Sequence, residues 1–376
     1  MVNRERLVNE FLELVRIDSL SYRERKMADA LKAKLEGMGL SVEEDGAGAV
    51  IGGNAGNIIC KIQGSTDVPS ILLMAHMDTV EPGIGKNPVV EGNIIKTDGT
   101  TVLGGDDVAG IECILEAVRV LKENNLEHGD IYVVFTVAEE CGLLGAKNLE
   151  LKNINARYAF VMDNGGEIGE VAVRAPSQNK IDVKILGRAS HAGLEPEKGV
   201  SAIQIASEAI ANMKLGRIDE ETTANIGIIR GGQATNIICE SIDIKAEARS
   251  RNEEKLKKQT EHMKNCFERA AQKCGGEVVF NSEMLYPAFS ISEDDEIITI
   301  LKEASSKTRI QLRLVSTRGG SDTNIINAKG IKAVDVSVGM DKVHSQKEQI
   351  SIDDMIKAVE FLIAIITSVK NVFLPL

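Results

Sequence analysis

The chain has 376 residues, 43% hydrophobic and 27% charged, which is the composition of a globular protein long enough for two domains. A formal net charge of −12, no Trp and only 3% aromatic residues argue against a nucleic-acid partner. The charged N-terminus, the short apolar runs and six Cys without a C-x-x-C pair predict a reduced, cytoplasmic protein with no signal peptide and no membrane span.

The first part of the chain is predicted to alternate helices with buried strands, as in an α/β domain. Ile71–Ala75, Ile131–Val137 and Tyr158–Met162 are continuous apolar runs, typical of strands buried on both faces. The Gly- and Asp-rich region 81–101 is predicted to form a hairpin or lid edge. The other predicted elements before residue 164 are helices at about 2–16, 22–38 and 103–123, and strands at about 41–44 and 57–63.

Side chains that can bind metal follow each buried strand and open the next helix. They are His76, Asp78, Asp106, Glu139, Glu140 and Asp163. Because the carboxyl ends of parallel strands meet at one edge of a sheet, we expect these side chains to lie together. Asp78 lies two residues beyond His76 on the same side of an extended chain, where a carboxylate can hold the histidine ring. Taken alone, each segment is also compatible with an ordinary turn, including an Asp N-cap in the Gly-Gly-Asp-Asp stretch.

From residue 178 the strands alternate polar and apolar residues, which indicates a second, half-exposed sheet. The predicted elements there are strands at about 180–186, 222–229, 238–248 and 278–283, and helices at about 200–213 and 253–273. This order predicts a small α+β domain at 178–284, inserted into a first domain made of 1–177 and 285–376. The first domain then resumes with helices at about 291–306 and 351–368 and strands at about 311–315 and 333–338, and the segment 317–322 is predicted to open a further helix.

The five histidines fall into distinct contexts. His76 and His344 each follow a buried strand, His191 lies in a Gly-flanked loop, and His128 and His262 lie in polar contexts that predict surface positions. Imidazole and carboxylate ligands without Cys suit zinc, and also manganese or cobalt. Two His with three acids exceed the three ligands that one open site needs, which indicates two metal ions sharing a carboxylate.

Eight motifs occur together in one order along the chain. They are AHMDTV (75–80), GGDDVAG (104–110), AEECG (138–142), VMDN (161–164), GRASHAG (187–193), GGQATNII (231–238), RGGSDTN (318–324) and the isolated His344. On these motifs the chain resembles the co-catalytic zinc peptidase family of peptidase T, dipeptidases, aminoacylases and carboxypeptidase G. Asp at 163 and the Arg-Gly-Gly-Ser-Asp segment resemble its peptidase T-like branch. The implied fold is a mixed, largely parallel sheet flanked by helices, with an inserted ferredoxin-like lid and dimerisation domain.

The resemblance also implies a role for each residue of the predicted metal site. The five implied ligands are Asp106, which bridges both metals, His76 and Asp163 at one site, and Glu140 and His344 at the other. Asp78 is implied to orient His76, and Glu139 to be the general base that activates the metal-bridging water. The family also commonly has a cis peptide at the position of Asp106–Asp107.

The implied activity is metal-dependent hydrolysis of short peptides by an aminopeptidase of the tripeptidase type. The alternative within the family is an N-acyl amino acid deacylase or a carboxypeptidase. A metal- or peptide-binding protein without activity is the third hypothesis, and the presence of Glu139 disfavours it, since such a protein has no need of a base.

Four residues are candidates for substrate binding, each with a structural alternative. Arg249 and Arg318 can hold a substrate carboxylate, or form salt bridges within the fold. Asn236 can donate to the substrate carbonyl, or cap a loop. His191 can stabilise the oxyanion, or pack within the small domain. In dimeric members of the family this His reaches the neighbouring subunit's site, so the resemblance implies a homodimer through the inserted domain.

Overall fold

The computed structural model describes residues 1–374, which form two compact units. The first unit contains Met1–Val173, Ser290–Thr317 and the chain from Ser321 onward, and the second contains Arg174–Phe289 and Arg318–Gly320.

Helices and strands alternate along the first part of the chain and again near its end. The α-helices are α1 Arg4–Val15, α2 Arg25–Gly37, α3 Ala47–Ile51, α4 Gly105–Glu123, α5 Leu144–Asn148, α6 Ala202–Ala211, α7 Glu253–Cys274, α8 Glu296–Thr308, α9 Asp322–Ala328 and α10 Ile352–Phe373. The strands are β1 Val42–Glu44, β2 Ile58–Ile62, β3 Ile71–His76, β4 Val89–Glu91, β5 Ile94–Lys96, β6 Ile131–Thr136, β7 Tyr158–Asn164, β8 Glu170–Ala175, β9 Ser177–Leu186, β10 Gly216–Arg217, β11 Thr222–Gly231, β12 Ser241–Ser250, β13 Glu277–Tyr286, β14 Phe289–Ser290, β15 Arg313–Ser316, β16 Lys332–Ser337, β17 Met340–Asp341 and β18 Gln349–Ser351.

The main sheet of the first unit has the order β1-β2-β6-β3-β7-β16-β8-β14, with β15 paired to β8. Its centre, β6-β3-β7-β16, is parallel, and the pairs β1–β2, β2–β6 and β16–β8 are antiparallel. All residues of β3 and β6 are buried, as their unbroken apolar sequences predict. The predicted fold class, a mixed and largely parallel sheet flanked by helices, is confirmed.

The register of the central strands aligns their carboxyl ends. His76, the last residue of β3, pairs with Thr136, the last residue of β6, and Met74 pairs with Val161 of β7. Residues beyond the ends of these strands therefore leave the sheet at the same edge. This is the edge where the sequence places its metal-binding side chains.

A smaller sheet, β17-β18-β5-β4, belongs to the same unit. Strands β17 and β18 form an antiparallel hairpin, and its connecting loop, 342–348, carries His344. Lys342 and His344 have φ values of +56° and +58°, a left-handed conformation that a non-glycine residue seldom adopts. The loop therefore turns sharply at the residue predicted to bind metal.

The second unit is a five-stranded antiparallel sheet in the order β10-β11-β12-β9-β13, covered by α6 and α7. Along β9, buried Ile181, Val183 and Ile185 alternate with more exposed residues, and Phe267 of α7 packs in the same core. The succession β9-α6-β11-β12-α7-β13 has the ferredoxin-like order. Its first and last long strands are neighbours, and Gln178 pairs with Tyr286.

Three expectations differ from the structure. Strand β8 has no counterpart among the predicted elements, and α8 begins at Glu296 rather than near 291, because Asp295 caps it by accepting from the Ile297 N–H at 3.2 Å. His128 is buried, with 8% exposure, so its predicted surface position is wrong. Its Nδ1–H donates to the Gly129 carbonyl at 2.7 Å, which satisfies the ring inside the fold.

No helix within residues 1–374 combines the length and apolar character needed to cross a membrane. All six cysteines lie in that range and are free thiols.

Glu112 is a buried carboxylic acid in the middle of α4. Its exposure is 0%, and neither carboxyl oxygen has a hydrogen-bond partner among the described residues. Burial, reinforced by repulsion from Glu10, raises the pKa of Glu112 well above its ordinary value. A folded-state pKa above the unfolded value means that the folded protein binds the extra proton, so stability falls as the pH rises above the unfolded pKa of 4.5.

We expect Glu112→Met to stabilise the protein by about 1–3 kcal/mol near neutral pH, because it removes a buried polar group without a partner. The gain in melting temperature should be larger at pH 8 than at pH 5. Glu5→Met, an exposed substitution in α1, serves as the control for added hydrophobicity. Equal gains at both pH values would show that ionisation of Glu112 does not limit stability.

Candidate metal centre

The five predicted metal ligands come from separate elements of the first unit. His76 ends β3, Asp163 lies near the end of β7, Glu140 follows β6, Asp106 lies at the start of α4, and His344 lies in the β17–β18 loop. Asp106 has φ −82° and ψ 102°, and is therefore not helical although it stands within α4. The peptide bond between Asp106 and Asp107 is cis, as the resemblance implies.

The Asp106 carboxylate lies between the two histidines. Its Oδ1 is 3.0 Å from His76 Nε2, and its Oδ2 is 3.1 Å from His344 Nε2. Asp163 Oδ1 lies 3.6 Å from His76 Nε2, and Glu140 Oε1 lies 2.8 Å from His344 Nε2. The site therefore has two halves that share Asp106.

These separations fit metal coordination. Two ligands about 2.0–2.1 Å from a tetrahedral zinc ion stand about 3.3 Å apart, within the 2.8–3.6 Å found here. The ligand atoms of His76, Asp106 and Glu140 all lie within 4.8 Å of one another, as do those of His76, Asp107 and Asp163. Imidazole and carboxylate donors suit zinc, manganese or cobalt. This candidate metal site fits the divalent cations that the sequence implies.

The charge of the cluster also favours cations. Burial raises the pKa of Asp163 and Glu139 well above ordinary values, with further contributions from neighbouring carboxylates. Hydrogen bonds to Asp106 and Glu140 raise the pKa of His344 to about 10. His76 has a raised pKa too: burial opposes its charge, and the surrounding carboxylates outweigh burial. The surrounding carboxylates therefore favour a positive charge at Nε2 of His76 and at Nε2 of His344.

Asp78 holds several groups at once. His76 Nδ1–H donates to the Asp78 backbone carbonyl at 2.8 Å, and the Asp78 carboxylate oxygen is 3.5 Å from the same nitrogen. This hydrogen bond leaves Nε2 of His76 as the nitrogen that binds metal. The Asp78 carboxylate accepts from the backbone N–H of Glu139 at 2.9 Å and of Glu140 at 3.2 Å, and from Ser21 Oγ at 2.6 Å.

Glu139 is 8% exposed and follows Ala138, which has φ +48°. The Ala138 N–H donates at 3.0 Å to Glu24, a fully buried carboxyl whose pKa is raised to about 7 by burial and by Asp78. Because Asp78 and Glu24 accept from three successive N–H groups, the turn after β6 is fixed through its backbone. The adjacent side chains of Glu139 and Glu140 can therefore take different roles, one as base and the other as metal ligand.

Carboxylates that sequence reasoning missed hold the backbone of other ligands. The His76 N–H donates to Asp107 Oδ2 at 3.1 Å, and the Asp163 N–H to Asp335 Oδ1 at 3.2 Å. Asp335 lies inside the apolar strand β16, and an acid in such a strand is a signal that could have identified it. Asp107 directly follows Asp106 in a stretch whose sequence is also typical of a turn, so the sequence alone does not indicate that Asp107 accepts from the His76 N–H.

The four predicted substrate-binding residues lie in the second unit. His191 and Asn236 are exposed and lie in adjoining segments, since the Ala192 N–H donates to the Asn236 carbonyl at 3.0 Å. Arg249 forms a two-point ion pair with Glu247, at 2.9 and 3.0 Å. This is the salt bridge within the fold that was the alternative to substrate binding. Arg318 is exposed.

The ring of His191 has a defined tautomer. Its Nδ1 accepts from the backbone N–H groups of Gly193 and Leu194, both at 3.2 Å. In a neutral imidazole the proton must then be on Nε2, which makes that atom a hydrogen-bond donor.

Comparison with known proteins gave consistent matches. The model of peptidase family M20/M25/M40 matches residues 72–368. The crystal structure of aminopeptidase PepT from Bacillus cereus is 45% identical, with a TM-score of 0.89, and the match covers 98% of this chain and 99% of that one. The crystal structure of a tripeptidase from Staphylococcus aureus is 40% identical, with a TM-score of 0.94 and the same two coverages. The uncharacterised protein YqjE of Bacillus subtilis is 46% identical over 366 residues, covering 97% of this chain and 99% of its own length.

Proposed function

This chain belongs to peptidase family M20/M25/M40 and is a metal-dependent peptidase of the aminopeptidase type, and we propose that it removes the N-terminal residue from short peptides, tripeptides in particular. The observation that carries the proposal is the Asp106 carboxylate, with one oxygen 3.0 Å from His76 and the other 3.1 Å from His344. This arrangement suits two cations that share one ligand. The tripeptidase and the PepT structure are the similar proteins that support the substrate class.

Two divalent cations would be held by the residues of the two halves. His76 and Asp163 would bind one cation, Glu140 and His344 would bind the other, and Asp106 would bind both. Zinc fits the donor set, with cobalt and manganese as alternatives. When bound, the cations supply Lewis acidity, which acidifies a water molecule and polarises the scissile carbonyl.

Glu139 would act as the general base. It lies beside Glu140 on a turn fixed by Asp78, so one carboxylate can face the cations while the other faces the water. Glu139 takes a proton from the attacking water and gives it to the leaving amine.

Residues of the second unit would bind the peptide. Nε2–H of His191 can donate to the oxyanion of the tetrahedral intermediate, and Asn236 can donate to the substrate carbonyl. Arg318, exposed and cationic, is the better candidate to hold the peptide carboxylate, because Arg249 is paired with Glu247. We place the enzyme in the cytoplasm, with free thiols, acting as a homodimer through the second unit.

The aminopeptidase proposal is tested with matched peptides. The purified, metal-loaded enzyme should hydrolyse a free tripeptide and release its N-terminal residue, as read by mass spectrometry. The N-acetylated form of the same tripeptide should be resistant. Release of acetate or an N-acyl group would favour the deacylase alternative, and release of the C-terminal residue from both peptides would favour the carboxypeptidase.

The role of His191 is tested by mixing subunits. We expect His191→Ala and Glu139→Gln to be inactive separately, and to regain activity when mixed under conditions that exchange subunits. If His191 serves the partner's site, each mixed dimer has one site with both defects and one intact site, and about half the activity per mixed dimer returns. The unmixed variants, treated identically, are the controls. Mixed dimers that form and stay inactive would place His191 in the site of its own chain.

A further inference from the structure

Glu348 is a buried carboxylate with both oxygens bound to one backbone segment. It lies four residues after His344 in the β17–β18 loop and is 1% exposed. Its Oε1 accepts from the Asp106 N–H at 3.0 Å, and its Oε2 accepts from the Gly104 N–H at 2.9 Å. Glu348 therefore holds the segment that carries the shared ligand.

This segment needs an acceptor from elsewhere in the chain. The first N–H groups of a helix have no intrahelical partner, and here the backbone at Gly104 (φ +75°) and Asp106 (ψ 102°) is not helical. The Glu348 carboxylate satisfies two of these N–H groups at once. These two hydrogen bonds fix the backbone at Asp106, and the backbone sets the direction of the Asp106 side chain.

The same residue fastens the loop that carries His344. The Glu348 carbonyl accepts from the Thr97 N–H at 3.2 Å, and the Glu348 N–H donates to the Ser345 carbonyl at 3.1 Å. Ser345 Oγ in turn donates to the Lys342 carbonyl at 2.6 Å, which closes the turn around His344. One residue thus ties His344 and Asp106 to the same point of the fold.

The space around Glu348 is closed. A Cβ atom built on Gly105 would lie 3.1 Å from Glu348 Oε1, closer than ordinary contact. A Cβ on the neighbouring Gly104 would lie 3.1 Å from the Lys86 side chain, which is itself 4% exposed. The Glu348 carboxylate is therefore buried and lies directly against the backbone of Gly105.

We propose that Glu348 is a positioning residue for both metal sites at once, because it sets the shared ligand Asp106 and anchors the loop of His344. This rests on the two-cation site of the proposed function. Asp335 is a second carboxylate that accepts from the backbone N–H of a ligand, but it supports only one of the two metal sites. It holds the N–H of Asp163, which belongs to the His76 half alone.

The difference between these two carboxylates gives a matched experiment. Metal-free protein, prepared with a chelator, is titrated with Co²⁺ alone, and the visible absorption and calorimetric heat give the affinity of each binding step. Glu348→Ala should weaken both steps by about 10–100-fold, the usual effect of removing a group that supports metal ligands. Asp335→Ala should weaken one step and leave the other within about threefold of the wild type.

Additional variants guard against a general loss of structure. Glu348→Gln keeps the size of the side chain and presents an NH₂ group to one of the two N–H donors, so it should weaken both steps less than Glu348→Ala. Gly105→Ala places a methyl group against Glu348 and should act in the same direction. Circular dichroism and the melting temperature of the metal-free proteins verify folding, and Glu348→Gln carries the test if Glu348→Ala does not fold.

The outcomes separate this inference from the proposed function. A wild-type protein that binds fewer than two Co²⁺ ions would overturn the two-cation site itself. A wild type with two binding steps, and Glu348 variants that keep both or lose only one, would overturn the role of Glu348 and leave the proposed function standing.

Discussion

Glu139→Gln is expected to leave two metal ions bound while turnover of a tripeptide falls by about 10²–10⁴-fold, the usual contribution of a general base. The substitution removes the base and no ligand. The backbone N–H of Glu139 donates to Asp78 at 2.9 Å, and this bond does not depend on the side chain, so the turn should not move. Turnover is measured with free tripeptide, and metal content by elemental analysis of the same samples.

Glu140→Gln is the matched control, one residue along the same turn. Glu140 lies 2.8 Å from His344 Nε2 and is a proposed ligand, so this variant should lose one metal as well as activity. Metal loss in Glu139→Gln, with retention in Glu140→Gln, would reverse the two assignments.

Removing the metals is expected to abolish activity completely and to lower the melting temperature. Without cations, the carboxylates of Asp106, Glu140 and Asp163 remain close together inside the protein, and like charges there repel one another. Cations that bind only the folded state stabilise it by about 2.7 kcal/mol at a free concentration of 100 times Kd. The test is dialysis against a chelator, then activity and melting before and after adding Zn²⁺, Co²⁺ or Mn²⁺ separately.

Asp106→Ala gives the same result by mutation, because its two oxygens face both histidines. His344→Ala is the comparison, since it should remove one metal only. Full activity in a sample shown by elemental analysis to lack metal would contradict the metal-dependent mechanism.

The sequence predicted the centre of the molecule well for a physical reason. Strands β3 and β6 are buried on both faces, so their sequences are unbroken apolar runs, and the residues after them must emerge at the sheet edge. The clustering of His76, Asp106 and Asp163 results from that rule together with the motif order. The alternating strands likewise predicted a second, half-exposed sheet, and the succession of strands and helices predicted the α+β order of the second unit.

Contacts between distant segments could not be predicted from the sequence. The Glu348 carboxylate and the Asp106 N–H are 242 residues apart, and no local pattern couples them. Strand β8 has an alternation too short to separate from a loop, and it becomes a strand by pairing with β16. His128 has the polar neighbourhood of a surface residue, and it can be buried because Gly129 supplies its acceptor.

The way the second unit joins the chain has a consequence for its evolutionary history. It leaves and returns through neighbouring strands, since Gln178 pairs with Tyr286, while in the first unit the Ile291 N–H donates to the Val173 carbonyl at 2.8 Å. The long insertion Arg174–Phe289 therefore leaves and rejoins the first unit at adjacent backbone positions. Each doubling of a loop costs only about 0.6 kcal/mol of closure entropy, so the length of the insertion is nearly free to vary. At this junction a gene could exchange the insertion for one of another length while Val173 and Ile291 stay paired.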